Sequence, residues 1–284
     1  MLKKYYLLTK PGIIRGNLMT AAAGFLFASK GHIDWWLFLA LLTGTALVIA
    51  SGCVFNNYLD RGIDKKMDRT KKRSLVVGDI SARNALTYAS ILGIAGFVIL
   101  AIYTNLITVV IGLIGIIDYV IIYGWAKRNT VHSTLVGGIS GSTSLVAGYT
   151  AVTGNFDIVA ILLFLIMAFW QMPHFYAIGI YRRKDYAAAD LPILTVQKGI
   201  GAAKQEILLY IIGYIAVVSL LAILGHAGYT YLAVMLIITF WWLWVALQGP
   251  KARDDIKWAH KIFGISLLVL MVFSIMISLD HWLP

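Results

Sequence analysis

Cysteine is nearly missing from this chain. One residue in 284, Cys53, leaves no partner for an intramolecular disulfide and no Cys-based zinc cluster. Its place inside an apolar run reads as that of a small buried side chain. Charge is scarce too: 13% of residues are Asp, Glu, Lys or Arg, against 60% hydrophobic, and the mean hydropathy is +0.81. That composition excludes a water-soluble domain and fits a polytopic membrane protein. Linkers are also lacking. No Pro/Gly/Ser-rich or charge-rich stretch divides the chain, so residues 1–284 read as a single membrane domain. The first apolar run, Gly12 to Ser29, is followed by Lys30, His32 and Asp34 without a convincing cleavage site, and reads as a retained helix rather than a leader.

What is present is apolar length. Hydrophobic windows predict an all-α protein with nine transmembrane helices, near 12–29, 35–59, 84–103, 106–125, 134–153, 158–181, 206–225, 229–248 and 261–280. The fifth is rich in Gly, Ser and Thr, which predicts a helix packed closely among others. Nine spans place alternate loops on one side, and that side holds 23 of the 24 Lys and Arg residues, all but Lys30. So lopsided a count predicts a cytoplasmic N-terminus. It also explains the net charge of +11 as topology rather than as a nucleic-acid footprint, so no nucleic acid is expected as a partner. The two longest cytoplasmic loops, near 60–83 and 182–204, follow helices 2 and 6.

Polar chemistry concentrates at the first of these loops. Asn56, Asp60, Asp64 and Asp68 recur every four residues at the end of helix 2. If the helix continues, they climb one face. Carboxylates one turn apart can share a Mg²⁺ ion whose shell is completed by water and phosphate oxygens. Asn57 or Asn56 would add a neutral oxygen, and nearby Lys or Arg would hold the remaining phosphate charge. A solvated loop with surface ion pairs is the bland alternative, but Asn56 and Asn57 lie within a span, where polar groups are costly. The trailing Lys71-Lys72-Arg73 run reads as a cytoplasmic anchor. In helix 6, Pro173 predicts a kink and His174 a buried polar group; a hydrogen bond across helices is as good a reading for His174 as a functional one. His132 reads as a solvated loop residue. His226 and His281 lie on the opposite face. Asp118, in the middle of helix 4, needs a partner or a proton.

The pattern Asn56-Asn57-x-x-Asp60-x-x-x-Asp64 resembles the first acidic motif of the UbiA-type intramembrane prenyltransferases. Ser51 to Tyr58, Asp68-Arg69-Thr70, Lys10-Pro11-Gly12-Ile13, Trp170-Gln171-Met172-Pro173-His174-Phe175 and Asp185-Tyr186 to Leu191-Pro192-Ile193-Leu194 are more narrowly similar to the haem-farnesylating branch of that family. The resemblance covers nearly the whole chain. It implies a UbiA-like fold, nine helices around a central cavity, in a bacterial inner membrane. It implies transfer of a farnesyl group from farnesyl diphosphate to the vinyl group of haem B, with water addition, giving haem O. It further implies Mg²⁺ held by Asp60, Asp64 and Asn57, with Asp185 as a second metal or diphosphate contact, and Asn56, Arg61, Lys127, Arg128 and Lys184 as substrate contacts. His174, with Gln171 beside it, would meet the haem through the iron or a propionate. Besides haem B, farnesyl diphosphate and membrane lipid, the implied partners are a downstream haem-modifying enzyme or terminal oxidase. Three departures stand out. The acids Asp185 and Asp190 are five apart rather than four. Ser144-Leu145 stands where the family has Pro-Pro. From Tyr123 to Lys127-Arg128 the spacing is one residue short, and one residue turns a helical side chain by about 100°. A UbiA-type enzyme with another aromatic or tetrapyrrole acceptor, or a haem or ion transporter, is the alternative; transport would predict polar groups running through to the far face.

Overall fold

Asp34, Asp157 and Asp254 each cap a helix, their carboxylates accepting backbone N–H groups of the first turn at 3.0 Å in the computed structural model, which describes residues 1–283. Among those residues there is no strand, and nine long helices make up most of the chain. They are α1 (Pro11–Ser29), α2 (Trp35–Leu59), α3 (Ala82–Tyr103), α4 (Leu106–Asn129), α5 (Ser133–Thr153), α6 (Ile158–Tyr181), α7 (Gly199–Ile223), α8 (Tyr229–Leu247) and α9 (Asp255–Leu279). Eight are long and apolar enough to cross a membrane; α1, with 19 residues including Arg15 and Asn17, is the more polar one and lies along α5 and α9. The chain is thus a multi-pass integral membrane protein.

Two helices start earlier than hydropathy predicts: α7 at Gly199 rather than 206, α9 at Asp255 rather than 261. Their early turns carry Lys204 and Asp255, which apolar windows reject. In the fold the two side chains meet, Lys204 Nζ at 2.5 Å from the Asp255 carboxylate and 2.7 Å from the Gly249 carbonyl. The ion pair joins two helix starts beyond the apolar spans. In α4 the residues Asp118–Ile122 form a π-helical turn. Its i→i+5 bonding rephases the rest of the helix. Helix α6 continues through Pro173.

Helix α5 sits among α1, α4 and α6, as its small residues predict. A Cβ on Gly148 would lie 2.0 Å from the Ala21 carbonyl oxygen, and one on Gly24 would lie 2.1 Å from that of Leu145, so α1 and α5 touch backbone to backbone. At Ser144-Leu145, Ser144 donates to Asn17 Oδ1 at 2.8 Å and Leu145 is fully buried, which adds to the same crossing. Outward faces carry exposed Ile94, Ile102, Ile121 and Ile237, as lipid contact requires.

Gly148→Ala is expected to lower the unfolding midpoint in detergent, an overpacking cost of about 1–3 kcal/mol. Gly201→Ala, where an added Cβ meets open space in a helix, is the control and should not lower the midpoint.

Candidate active site at one mouth of the bundle

The predicted acidic stretch is helical only in part. Helix α2 ends at Leu59, a short turn spans Arg61–Asp64, and the chain then leaves the helical path. Asp64 N–H donates to the Asp60 carbonyl at 2.8 Å, so these two acids keep their one-turn spacing. Asp68 does not share their face: it is exposed and pairs with Lys71 at 2.6 Å. Asn56, Asn57, Asp60 and Asp64 are all buried, between 2% and 5% exposed. Carboxylates at that depth require compensation, and three separate segments supply it. The Asp60 carboxylate accepts from Lys127 Nζ and, at 3.1 Å, from Arg128 Nη2. Arg128 also caps α2 through the Leu59 carbonyl at 2.9 Å. Lys127 and Arg128 thus reach Asp60 despite the one-residue-short spacing from Tyr123. Asp64 accepts from Arg73 Nη1 at 2.7 Å, and the same atom reaches Asn57 Oδ1 at 3.0 Å. Asn57 in turn donates to the Leu8 carbonyl at 2.8 Å, tying the N-terminal segment to the mouth.

Lys10 completes the cluster. Its backbone is left-handed, φ 52, just before α1, and its Nζ donates to Asn56 Oδ1 at 2.7 Å. Burial draws its ammonium down to about 8, with Arg73 and Lys127 pushing the same way. An arriving anion would reverse that and hold the proton. Tyr119 and Tyr123 on α4, ring centroids 6.0 Å apart, back the lysines: Lys10 Nζ lies 5.9 Å from the first ring centroid, and Lys127 Nζ 5.3 Å from the second. The Asn56 amide nitrogen is buried without a partner.

Other predicted residues fall outside this cluster. Arg61 is exposed, stacks 4.2 Å from the Tyr58 ring centroid and donates to the Tyr58 carbonyl. It lines, with Lys65 and Leu75, a cavity of about 470 Å³ on the outer flank of the mouth, which includes neither Asp60 nor Asp64. Arg73, read from the sequence as part of an anchor, is instead held against Asp64 and Asn57. Lys184 is exposed. Asp185 pairs loosely with Arg182 at 3.8 Å, and Asp190, at a left-handed φ of 55, pairs with Lys66 at 2.8 Å. That pair joins the two long loops, as does an apolar cluster of Ile63, Met67, Tyr186, Ala189, Leu191 and Ile193. Gln171 is buried and its amide nitrogen is committed to the Gly138 carbonyl, Ser142 Oγ and the Met167 carbonyl, so it joins α6 to α5. His174 does bond across helices, Nδ1 to Ser266 Oγ of α9 at 2.8 Å. Asp118 accepts the Ser140 backbone N–H at 3.0 Å through one oxygen, while the other is buried without a partner.

Among the described residues no three His, Cys, Asp or Glu side chains gather as a metal-holding group. Two carboxylates and an asparagine oxygen are nevertheless the donor number Mg²⁺ uses when phosphate and water fill its shell. Lys10, Arg73, Lys127, Arg128 and the unpartnered Asn56 amide are what a diphosphate would require beside it. The residues present fit such a pair.

A membrane bundle with an acidic, cation-lined mouth on the second helix is the architecture of an intramembrane prenyltransferase, and the comparisons agree. The model of the UbiA prenyltransferase family matches residues 17–272, and the chain belongs to that family. Among solved structures, the fold is similar to a digeranylgeranylglyceryl phosphate synthase at a TM-score of 0.79 with 19% identity, covering 99% of this chain and 98% of that one. It is also similar to a UbiA homolog from Archaeoglobus fulgidus bound to GPP and Mg²⁺, at 0.72 with 18% identity, covering 97% and 99%. Within the family, the chain is 50% identical over 285 residues to the protoheme IX farnesyltransferase of Salmonella typhimurium, covering 100% of this chain and 96% of the relative.

Arg73→Ala leaves the Asp64 carboxylate buried and unpaired, and is expected to cost about 3 kcal/mol of stability. Arg61→Ala removes only an exposed cation and should cost less than about 0.5 kcal/mol. Equilibrium unfolding in detergent checks the ranking.

Proposed function

We propose that this chain transfers the farnesyl group of farnesyl diphosphate to the vinyl group of haem B, with addition of water, giving haem O. The observation that carries the reading is the full-length similarity to protoheme IX farnesyltransferases at 50% identity. The mouth supports it chemically. Asp60, Asp64 and Asn57 would hold Mg²⁺, with Asp185 of the second loop as an additional metal or diphosphate contact. The ion, when bound, neutralises charge that builds on the leaving diphosphate. Lys127, Arg128 and Arg73 turn from their carboxylates to phosphate oxygens, Lys10 joins them, and the Asn56 amide donates the hydrogen bond it lacks. The C1–O bond breaks with both electrons leaving on the diphosphate, stabilised by these fixed donors. The vinyl π electrons then form the new bond to farnesyl C1. The cation left beside the porphyrin takes a water oxygen, and that water releases a proton. Tyr119 and Tyr123 offer π faces behind the lysines, and the apolar bundle keeps bulk water from quenching the first cation.

His174 contacts the haem, through the iron or a propionate. The mouth and the N-terminus face the cytoplasm of a bacterial inner membrane, on the side that collects 23 of 24 cations. A haem-modifying enzyme or a terminal oxidase consumes the product. Buried carboxylates sit at that one mouth, apart from Asp118, which is not the through-going polar path a transporter needs.

Purified protein given haem B, farnesyl diphosphate and Mg²⁺ should yield haem O by mass, and chelation of Mg²⁺ should stop it. Asp60→Ala or Asp64→Ala should lower turnover by on the order of a hundredfold or more while haem binding persists. Turnover near the wild-type rate in either variant would refute the metal assignment.

A further inference from the structure

Ser266 on α9 holds two aromatic side chains of α6 at once. Its backbone carbonyl accepts the Trp170 indole N–H at 2.8 Å, and its hydroxyl lies 2.8 Å from His174 Nδ1. Trp170 and His174 are four residues apart on one face of the helix and stack with ring centroids 5.0 Å apart. Phe263 closes the other side at 4.7 Å. Ser266 itself is completely buried.

The hydroxyl hydrogen is already committed. Ser266 Oγ donates to the Phe263 carbonyl at 2.6 Å, one turn back on α9. A serine has a single O–H, so its contact with His174 can be a second hydrogen bond only if the ring nitrogen is the donor. That fixes the neutral imidazole as the Nδ1–H tautomer. The lone pair then resides on Nε2, which makes no hydrogen bond among the described residues.

We infer that Ser266 is a positioning residue for the acceptor: by taking the Nδ1 proton of His174, it turns a bare Nε2 lone pair toward the iron of bound haem. The inference rests on the reading that haem B is the acceptor. It also decides between the two haem contacts open to His174. A propionate is an acceptor and needs a donor N–H; Nε2 in this tautomer has none. Iron needs a lone pair and finds one. A partner on the far nitrogen orients a metal-binding histidine and raises its basicity, and losing such a partner weakens metal binding 10–100-fold. Trp170, held by the same residue, keeps the imidazole plane from turning.

The test is a titration of the full-length protein in detergent with haem B, read by visible absorption and by the iron–histidine stretching band in resonance Raman. Wild type should show a histidine-ligated spectrum and His174→Ala should lose it. Ser266→Ala should keep a ligated spectrum, with the band at lower frequency and haem affinity weaker by about tenfold. Ser266→Thr should restore both. Ser266→Cys, a weak acceptor of similar size, should behave like the alanine variant if alanine fails to fold. Farnesyl diphosphate affinity should stay at the wild-type value throughout. A wild-type band and affinity in both Ser266→Ala and Ser266→Cys would overturn the positioning role and leave haem as acceptor. A wild-type spectrum in His174→Ala would overturn the ligand and its positioning residue together. Haem binding by none of the proteins, wild type included, would overturn the acceptor reading itself.

Discussion

Two carboxylates buried at the end of α2 set the terms for the rest of the mouth. Asp60 and Asp64 are 5% and 2% exposed, and a charge at that depth is tolerated only if other charges and donors are brought to it. That requirement reaches far along the chain. It draws Lys127 and Arg128 from the end of α4 and Arg73 from the loop, while Lys10 and Leu8 of the N-terminal segment fasten to Asn56 and Asn57. Segments with no shared hydrophobic pattern thus converge because the acids would otherwise be uncompensated. In the proposed reaction the same compensation is exchangeable. Lys127, Arg128 and Arg73 would pass from the carboxylates to the diphosphate, leaving Asp60 and Asp64 to hold a metal, so little charge would be uncovered.

The bundle supplies the rigidity that such an exchange needs. Backbone-to-backbone contact at Gly24 and Gly148 fixes α1 against α5, and Gln171 and Ser266 fix α6 against α5 and α9. The π turn in α4 is a local irregularity with a local consequence: Tyr119 lies within it and Tyr123, Lys127 and Arg128 just beyond, so the phase of the helix end is set there.

Much of this was legible in the residues. The nine helices follow from apolar runs, and their errors are informative: α7 and α9 start early because Lys204 and Asp255 neutralise each other across space, which a one-dimensional window does not register. Asp60, Asp64 and Asn57 were legible because polar groups in a span are costly and their one-turn spacing survives. Asp68 broke the pattern because the helix stops at Asp64. Arg73 was hidden by abundance: among so many cations in one loop, nothing local separates it from Lys71 or Lys72, and only the fold of the loop carries it back to Asp64. Arg61 had the better sequence position, but it points outward onto Tyr58. Asp118 found a backbone N–H on α5, a partner without a side-chain signature. Ser266 lies 92 residues from His174 and looks like any small residue in a packed helix.

In the proposed reaction, carboxylates and cations at the mouth exchange partners when diphosphate and metal arrive together. Calorimetric titration of the wild-type protein, with Mg²⁺ alone, farnesyl diphosphate alone, and each in the presence of the other, tests it most directly. Mg²⁺ should bind weakly to the free protein, whose carboxylates are occupied by Lys127, Arg128 and Arg73. Each ligand should tighten the other by the same factor, at least about tenfold, as linkage demands. Tight Mg²⁺ binding without diphosphate, or a diphosphate affinity indifferent to Mg²⁺, would contradict it.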